Sequence, residues 1–264
     1  MSAPVDDLFR GLVAGVDLRS DDDATTDSGS LMFGHFSRFD SWYEIDSWHE
    51  GRFMERTATG AFRKTIKENR ESLVVQFDHG YDLHIGDNPL GPIEVLREDD
   101  QGPYYEVPLL DTDYNRDRML PLLTGRLMDG RTTGTSLLGS SFRFRVTKEE
   151  WVEPKAATAS NPDKLPERTI REVRLYEFGP VVFPASPAAT AAARGLTDHY
   201  HARRLHREGR AERAARELLS ISAPAAALGT AGANPTEPPT GHSGHARTDP
   251  RVLQLRVEAL RLGA

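Results

Sequence analysis

The sequence of 264 residues contains no cysteine. This absence excludes disulfide bonds, thiolate nucleophiles and cysteine-ligated zinc, and it fits a chain that folds in a reducing, intracellular setting. Long apolar runs are also missing: no stretch reaches about 18 apolar residues, so we expect no transmembrane helix. The first residues lack the basic start and the apolar stretch of a secretory signal peptide.

The charge balance shows no excess of basic residues. Lys and Arg total 33, Asp and Glu total 40, and the formal net charge is −7. We therefore expect no whole-chain electrostatic attraction to nucleic acid. With 38% hydrophobic and 28% charged residues, the composition is typical of a soluble globular protein with polar tails.

Changes in composition divide the chain into five segments. Residues 1–30 are rich in Asp, Ser and Thr and predict a flexible acidic arm. Residues 31–193 carry alternating strand patterns and short helical patterns, and they predict one folded domain. Behind it, the sequence predicts an Arg-rich helical segment (194–222), a flexible low-complexity linker (223–248) and an amphipathic terminal helix (249–264).

Two adjacent serines, Ser140 and Ser141, stand where a strand is predicted to begin, in "GSSFRFRV". Gly-Ser-Ser is common in turns, so the ordinary interpretation is a loop. The alternative is a serine nucleophile held at the edge of a sheet. In a strand, one of these serines shares a face with Arg143 and Arg145, while Phe and Val residues fill the other face. That residue is Ser141, and Ser140 then belongs to the approach turn.

A histidine and a glutamate could complete a catalytic group with this serine. His79 follows a predicted buried strand, and a rigid strand end can fix a general base against its serine. Glu177 interrupts an otherwise apolar strand and could orient the imidazole. In most proteins, however, such residues are a loop histidine and an exposed strand residue. The chain order matches none of the common Ser-His-acid orders, and no G-x-S-x-G elbow occurs, so these residues alone leave the question open.

The segment "FDHGYDLHIGD" also offers ligands for a metal ion. His79 and His84 stand among Asp78, Asp82 and Asp87, and imidazole and carboxylate groups bind zinc and other divalent ions. The chain lacks a known ligand spacing such as H-E-x-x-H. An unrelated metallohydrolase is therefore the least favoured interpretation.

Four short motifs decide between these alternatives. In chain order they are "ERTATGAFRKTI" (55–66), "FDHGYDLHIGDNPLG" (77–91), "GSSFRFRV" (139–146) and "YEFGPVVFPASPAA" (176–189). Together they resemble the prohead (capsid maturation) proteases of tailed bacteriophages, a family related in fold to the herpesvirus assemblins. The resemblance covers roughly residues 31–193. It implies that Ser141 is the nucleophile, His79 the general base and Glu177 the acidic member of the catalytic group.

The chain departs from the family pattern at two places. Arg143 stands where the family usually has glycine, which could alter the backbone beside the nucleophile. Gly179 and Pro180 replace a more strand-like pair in the last motif. Neither departure removes a side chain of the proposed catalytic group.

The resemblance implies an α+β fold, with a compact β-barrel surrounded by helices and a helical, low-complexity C-terminal extension. It implies a serine endopeptidase that uses no cofactor and no metal. Its partners would be the major capsid protein and the scaffold segment, cleaved inside the assembling procapsid in the host cytoplasm, often together with self-cleavage. A homo-oligomer is compatible with this role, and neither a membrane nor nucleic acid is required. Backbone N–H groups, aided by Arg143 or Arg145, would stabilise the oxyanion.

A scaffold-like capsid assembly protein with an inactive or secondary protease-like domain is the alternative. The Arg-rich segment, the linker and the terminal helix would suit such a protein, although a protease can carry them as a capsid anchor. The presence of all three catalytic residue types favours an active enzyme, because an inactive domain has no chemical need for them.

Overall fold

The computed structural model describes residues 5–12, 16–19, 30–182 and 196–221. The chain divides into two compact units, residues 1–215 and 216–264. The sheets, the core and the candidate site all lie in the first unit. The predicted linker and terminal helix lie outside the described residues.

The described residues form ten strands and three α-helices. The strands are β1 (Leu8–Leu12), β2 (Val16–Arg19), β3 (Leu31–His35), β4 (Tyr43–Ser47), β5 (Gly51–Thr57), β6 (Val74–Val75), β7 (Val95–Glu98), β8 (Pro103–Pro108), β9 (Gly139–Val152) and β10 (Glu167–Val181). The helices are α1 (Arg63–Asn69), α2 (Leu120–Thr124) and α3 (Leu196–Ile221). Two 3₁₀ turns (Arg70–Ser72, Phe77–Gly80) and a π-helical turn (Asn115–Met119) complete the order. In the described part of the chain, no helix is both long and apolar enough to cross a membrane.

The strands form two sheets. The first has the order β1-β9-β10-β5-β4, with β6 added beside β10, and the second has the order β2-β3-β8-β7. β9 and β10 make a long antiparallel hairpin, whereas β5 and β6 run parallel to β10. The predicted α+β class is therefore confirmed. Among the described residues, no strand pairing closes either sheet, so the barrel stays a prediction.

The predicted alternation of β9 is confirmed by burial. Phe142, Phe144 and Val146 are each at most 3% exposed and belong to the main hydrophobic core. Phe142 packs against Phe62 from the start of α1, with ring centroids 5.5 Å apart. A strand of strict period two places the intervening residues on the opposite face, where the candidate site lies.

The N-terminal residues differ from the predicted flexible arm. β1 and β2 lie within residues 1–30, and Leu8 is fully buried in the main core. Four of the seven acidic residues of this range lie in the run at residues 20–29, which is outside the described residues. The acidic composition of residues 1–30 as a whole therefore hides the short strand pattern "LFRGL" near its start, whose first leucine packs in the main core.

Candidate active site

Ser141 lies near the start of β9, on the face opposite the core phenylalanines. Its side chain is fully buried, and its Oγ lies 2.7 Å from Nε2 of His79. Ser140 points to the other side of the strand, beside Tyr105. The structure thus brings Ser141, and not Ser140, to the histidine.

His79 lies in the short turn that follows β6. Both Asp78 (φ 49°, ψ 37°) and His79 (φ 55°, ψ 30°) adopt the left-handed region, which residues other than glycine rarely occupy. Such backbone persists only where surrounding contacts hold it, and it is frequent at functional sites. The turn lies beside the catalytic strands because β6 pairs in parallel with β10 immediately before it.

Gly179 allows this close approach. A Cβ atom on Gly179 would lie 2.0 Å from the carbonyl oxygen of Gln76, far inside van der Waals contact. Gly179 is also the residue of β10 that pairs with Ser141. Its departure from the family pattern therefore has a structural reason, since a side chain there would push the turn that carries His79 away from the serine.

Glu177 reaches the site because β10 contains an irregularity. Leu175 pairs with Phe144 on the core face, and by simple alternation Glu177 would point into the same core. A register shift between Leu175 and Glu177 places Glu177 opposite Arg143 instead, on the face of Ser141. Glu177 is 5% exposed, and its Oε1 lies 2.5 Å from Nδ1 of His79.

These three side chains form one continuous hydrogen-bonded chain. A carboxylate holds one nitrogen of an imidazole while the other nitrogen meets a serine hydroxyl, which is the geometry that activates a nucleophile. Both ring nitrogens of His79 are therefore occupied. Within the described ranges, no three His, Asp or Glu side chains are grouped to hold a metal ion. His84 lies exposed on the surface, so the structure does not bring together the ligands of the metal interpretation.

The comparison with known families agrees with this geometry. The family of caudovirus prohead serine proteases matches residues 15–202. The chain belongs to this family. Residues 79, 141 and 177 all fall inside the matched range, whereas β1 precedes it. No curated protein and no solved structure shows a significant match.

In this prohead protease family member, α3 holds the turn that carries His79. The side chain of Asp78 accepts hydrogen bonds from Tyr200 (2.7 Å) and Arg203 (2.5 Å). The Tyr200 ring also stands edge-on to the His79 ring, with centroids 4.3 Å apart. Burial, and then the charge of Asp78, raise the pKa of Tyr200. Sequence patterns gave no indication of these contacts, because α3 is distant along the chain and carries no motif.

The two arginines of β9 are paired with the N-terminal segment. Nε of Arg143 donates to Asp7 (2.6 Å), and Arg145 lies 3.9 Å from Asp6. Burial raises the pKa of Asp7, but the guanidinium groups of Arg143 and Arg204 outweigh it and hold that pKa below its ordinary value. An oxyanion role for Arg143 or Arg145 thus stays a prediction.

Proposed function

We propose that the chain is a serine endopeptidase of capsid maturation in which Ser141 is the nucleophile, His79 the general base and Glu177 the residue that orients the base. The observation that supports this most strongly is the unbroken hydrogen-bonded chain from Glu177 through His79 to Ser141. Family membership supplies the reaction class, since the matched proteins are serine proteases.

In this mechanism, His79 takes the hydroxyl proton of Ser141 as Oγ attacks the carbonyl carbon of the scissile peptide bond. The imidazolium then gives that proton to the leaving amine, which departs and leaves an ester on Ser141. Water, deprotonated by His79, hydrolyses the ester. Glu177 stabilises the charged imidazole throughout, and backbone N–H groups stabilise the oxyanion.

The substrates that fit this family are segments of the capsid protein or of a scaffold, cut inside the prohead, together with the protease chain itself. The term prohead in the family description supports this assignment. The scaffold-like alternative would not need the three side chains to meet. Their alignment at 2.5 and 2.7 Å favours an active enzyme over it.

The test compares two neighbouring serines in one strand. Ser141→Ala should lower cleavage of a co-expressed capsid protein by on the order of 10³-fold or more, as expected for a triad nucleophile. Ser140→Ala, the matched control, should lose far less. Cleavage is followed by mass spectrometry of the capsid protein. An inactive Ser140→Ala protein beside an active Ser141→Ala protein, or full activity in both, would overturn the assignment, and absence of cleavage by the parent chain would support the scaffold-like alternative.

A further inference from the structure

β1 lies directly over the proposed nucleophile. It pairs antiparallel with β9, with Gly11 opposite Ser141 and Arg10 opposite Phe142. The hydroxyl of Ser141 donates to the carbonyl oxygen of Arg10 at 2.8 Å. Because Ser141 is fully buried beneath this strand, no external chain can reach it while β1 is in place.

The contact with Ser141 involves the carbonyl group of one particular peptide bond, Arg10–Gly11. The carbonyl carbon is one C=O bond, about 1.2 Å, from the oxygen that accepts the hydrogen bond. The carbonyl carbon therefore lies no more than about 4 Å from Oγ, which places the Arg10–Gly11 peptide bond beside the nucleophile. The Oγ of Ser141 thus lies within hydrogen-bond distance of both Nε2 of His79 and the carbonyl oxygen of Arg10.

The side chain of Arg10 occupies a buried acidic pocket. Its guanidinium binds Glu50 through two hydrogen bonds (2.6 and 2.8 Å) and Glu55 through two more (2.6 and 3.1 Å). Both carboxylates are fully buried, and Arg10 is 3% exposed. Planar two-point pairing of this kind is specific for arginine, because the ammonium group of lysine cannot reproduce it.

The two buried carboxylates of the pocket require a positive charge on the side chain that fills it. Besides Arg10, one buried guanidinium, that of Arg168, lies within 4 Å of the two carboxylates. Burial raises the pKa of Glu55, but Arg10 and then Arg168 outweigh it and hold that pKa below its ordinary value. Withdrawal of Arg10 would leave two buried carboxylates with one counter-charge, which is costly unless another cation enters.

The residue after the arginine is also restricted. A Cβ atom on Gly11 would lie 3.2 Å from Leu196 and 3.4 Å from the carbonyl oxygen of Ser140. The first approach is tighter than most van der Waals contacts but meets the end of a leucine side chain, and the second is an ordinary contact, so a small side chain at this position needs only a slight shift of Leu196. The site therefore accepts arginine followed by a small residue.

Building on the proposed function, we propose that β1 is an internal substrate: Glu50 and Glu55 recognise arginine on the acyl side of the scissile bond, and the enzyme cuts its own Arg10–Gly11 bond. Ser141 Oγ bonds to the Arg10 carbonyl carbon, the C–N bond to Gly11 breaks, and the Gly11 nitrogen leaves as an amine with the serine proton delivered by His79. Water then releases the carboxylate of Arg10 and restores Ser141. Loss of residues 1–10 opens the site to external chains.

The first measurement is the N-terminus of the purified full chain after incubation. Mass spectrometry should find a product that begins at Gly11 and is absent from Ser141→Ala. Arg10→Gln should slow its appearance by on the order of 10²-fold or more, since truncation of a buried charge pair is costly, and Arg10→Lys should slow it less. A chain that cuts another substrate through Ser141 but keeps its Arg10–Gly11 bond would overturn the inference and leave the proposed function intact.

The second measurement avoids variants of β1, which could fail to fold. The fully processed enzyme is given synthetic peptides of residues 6–17, with Arg, Lys, Gln or Glu in the place of Arg10, the fifth residue of the peptide. The arginine peptide should be cut fastest, and Glu50→Gln should remove most of that preference. Glu149→Gln is the matched control, because Glu149 contacts Arg168 and not Arg10. Equal cleavage of the four peptides would overturn the arginine pocket, whereas cleavage that persists in Ser141→Ala would overturn the proposed function itself.

Discussion

At the scale of single residues, the candidate site depends on one glycine as much as on its three hydrogen-bonded side chains. The absence of a side chain at Gly179 lets Gln76, and with it the turn that carries His79, lie against β10. Ser141 could be assigned from the sequence because period-two alternation is a local property of β9. Alternation alone could not place Glu177 on the face of Ser141, because the register shift before it depends on how β10 pairs with β9. Only the family resemblance assigned Glu177 to the catalytic group.

Gly179→Ala should therefore both destabilise the protein and lower its activity, because the new Cβ would overlap a backbone oxygen. Gly209→Ala is the matched control: Gly209 lies in α3 with open space around it, and alanine in a helix is favoured over glycine by about 0.5–1 kcal/mol. Chemical denaturation and capsid cleavage measure the two effects. A Gly179→Ala protein as stable and active as the Gly209→Ala protein would contradict the role given to Gly179.

At the scale of elements, β1 and α3, which are far apart along the chain, both pack against the candidate site. The ring of Phe9 in β1 stacks on Tyr200 of α3, with centroids 4.8 Å apart, and each meets the His79 ring edge-on. The sequence did not predict β1, because the acidic composition of residues 1–30 outweighed a short strand pattern. The sequence predicted the helical character of α3 but not its contact with Asp78, because residues 122 positions apart leave no local pattern in the sequence.

Asp7 anchors β1 in a pH-dependent manner. Its pKa in the folded chain is lowered, so its contribution to stability is present above the ordinary Asp pKa of about 3.9 and is lost as the pH falls through the lowered value. Asp7→Asn should therefore reduce the free energy of unfolding at pH 7, and the difference from the parent should vanish in acid. Urea titrations of the parent and of Asp7→Asn, at pH 7 and at a pH below the lowered pKa of Asp7, measure this difference. A deficit of equal size at both would show that the ion pairs with Arg143 and Arg204 do not stabilise the segment.

At the scale of the whole molecule, the first compact unit ends at residue 215, and the described residues of the candidate site lie within it. The linker predicted at residues 223–248 has almost no apolar side chains other than alanine to contribute to a core. The bounds of the linker and of the terminal helix, and the capsid-anchor role of that helix, stay predictions, because residues 223–264 lie outside the described ranges.

Removal of residues 224–264 should leave folding and the cleavage of soluble substrate unchanged, because the predicted linker has almost no apolar side chains other than alanine to contribute to a core. It should impair incorporation of the protease into procapsids if the terminal helix folds against the capsid protein or its scaffold segment. Full-length Ser141→Ala, which keeps the extension, is the control for incorporation without activity. Normal incorporation of the truncated chain would refute the anchor, and loss of folding would refute the boundary.

The account depends most on the claim that Ser141 and His79 act as one catalytic unit. A double-mutant cycle tests it through the rate of cleavage of a soluble capsid substrate by the parent, Ser141→Ala, His79→Ala and the double variant. Each single substitution should cost on the order of 10³-fold or more, and the double should be little worse than either, because members of one unit are strongly non-additive. Losses that multiply in the double variant, or a His79→Ala protein that retains most of its activity, would contradict the mechanism.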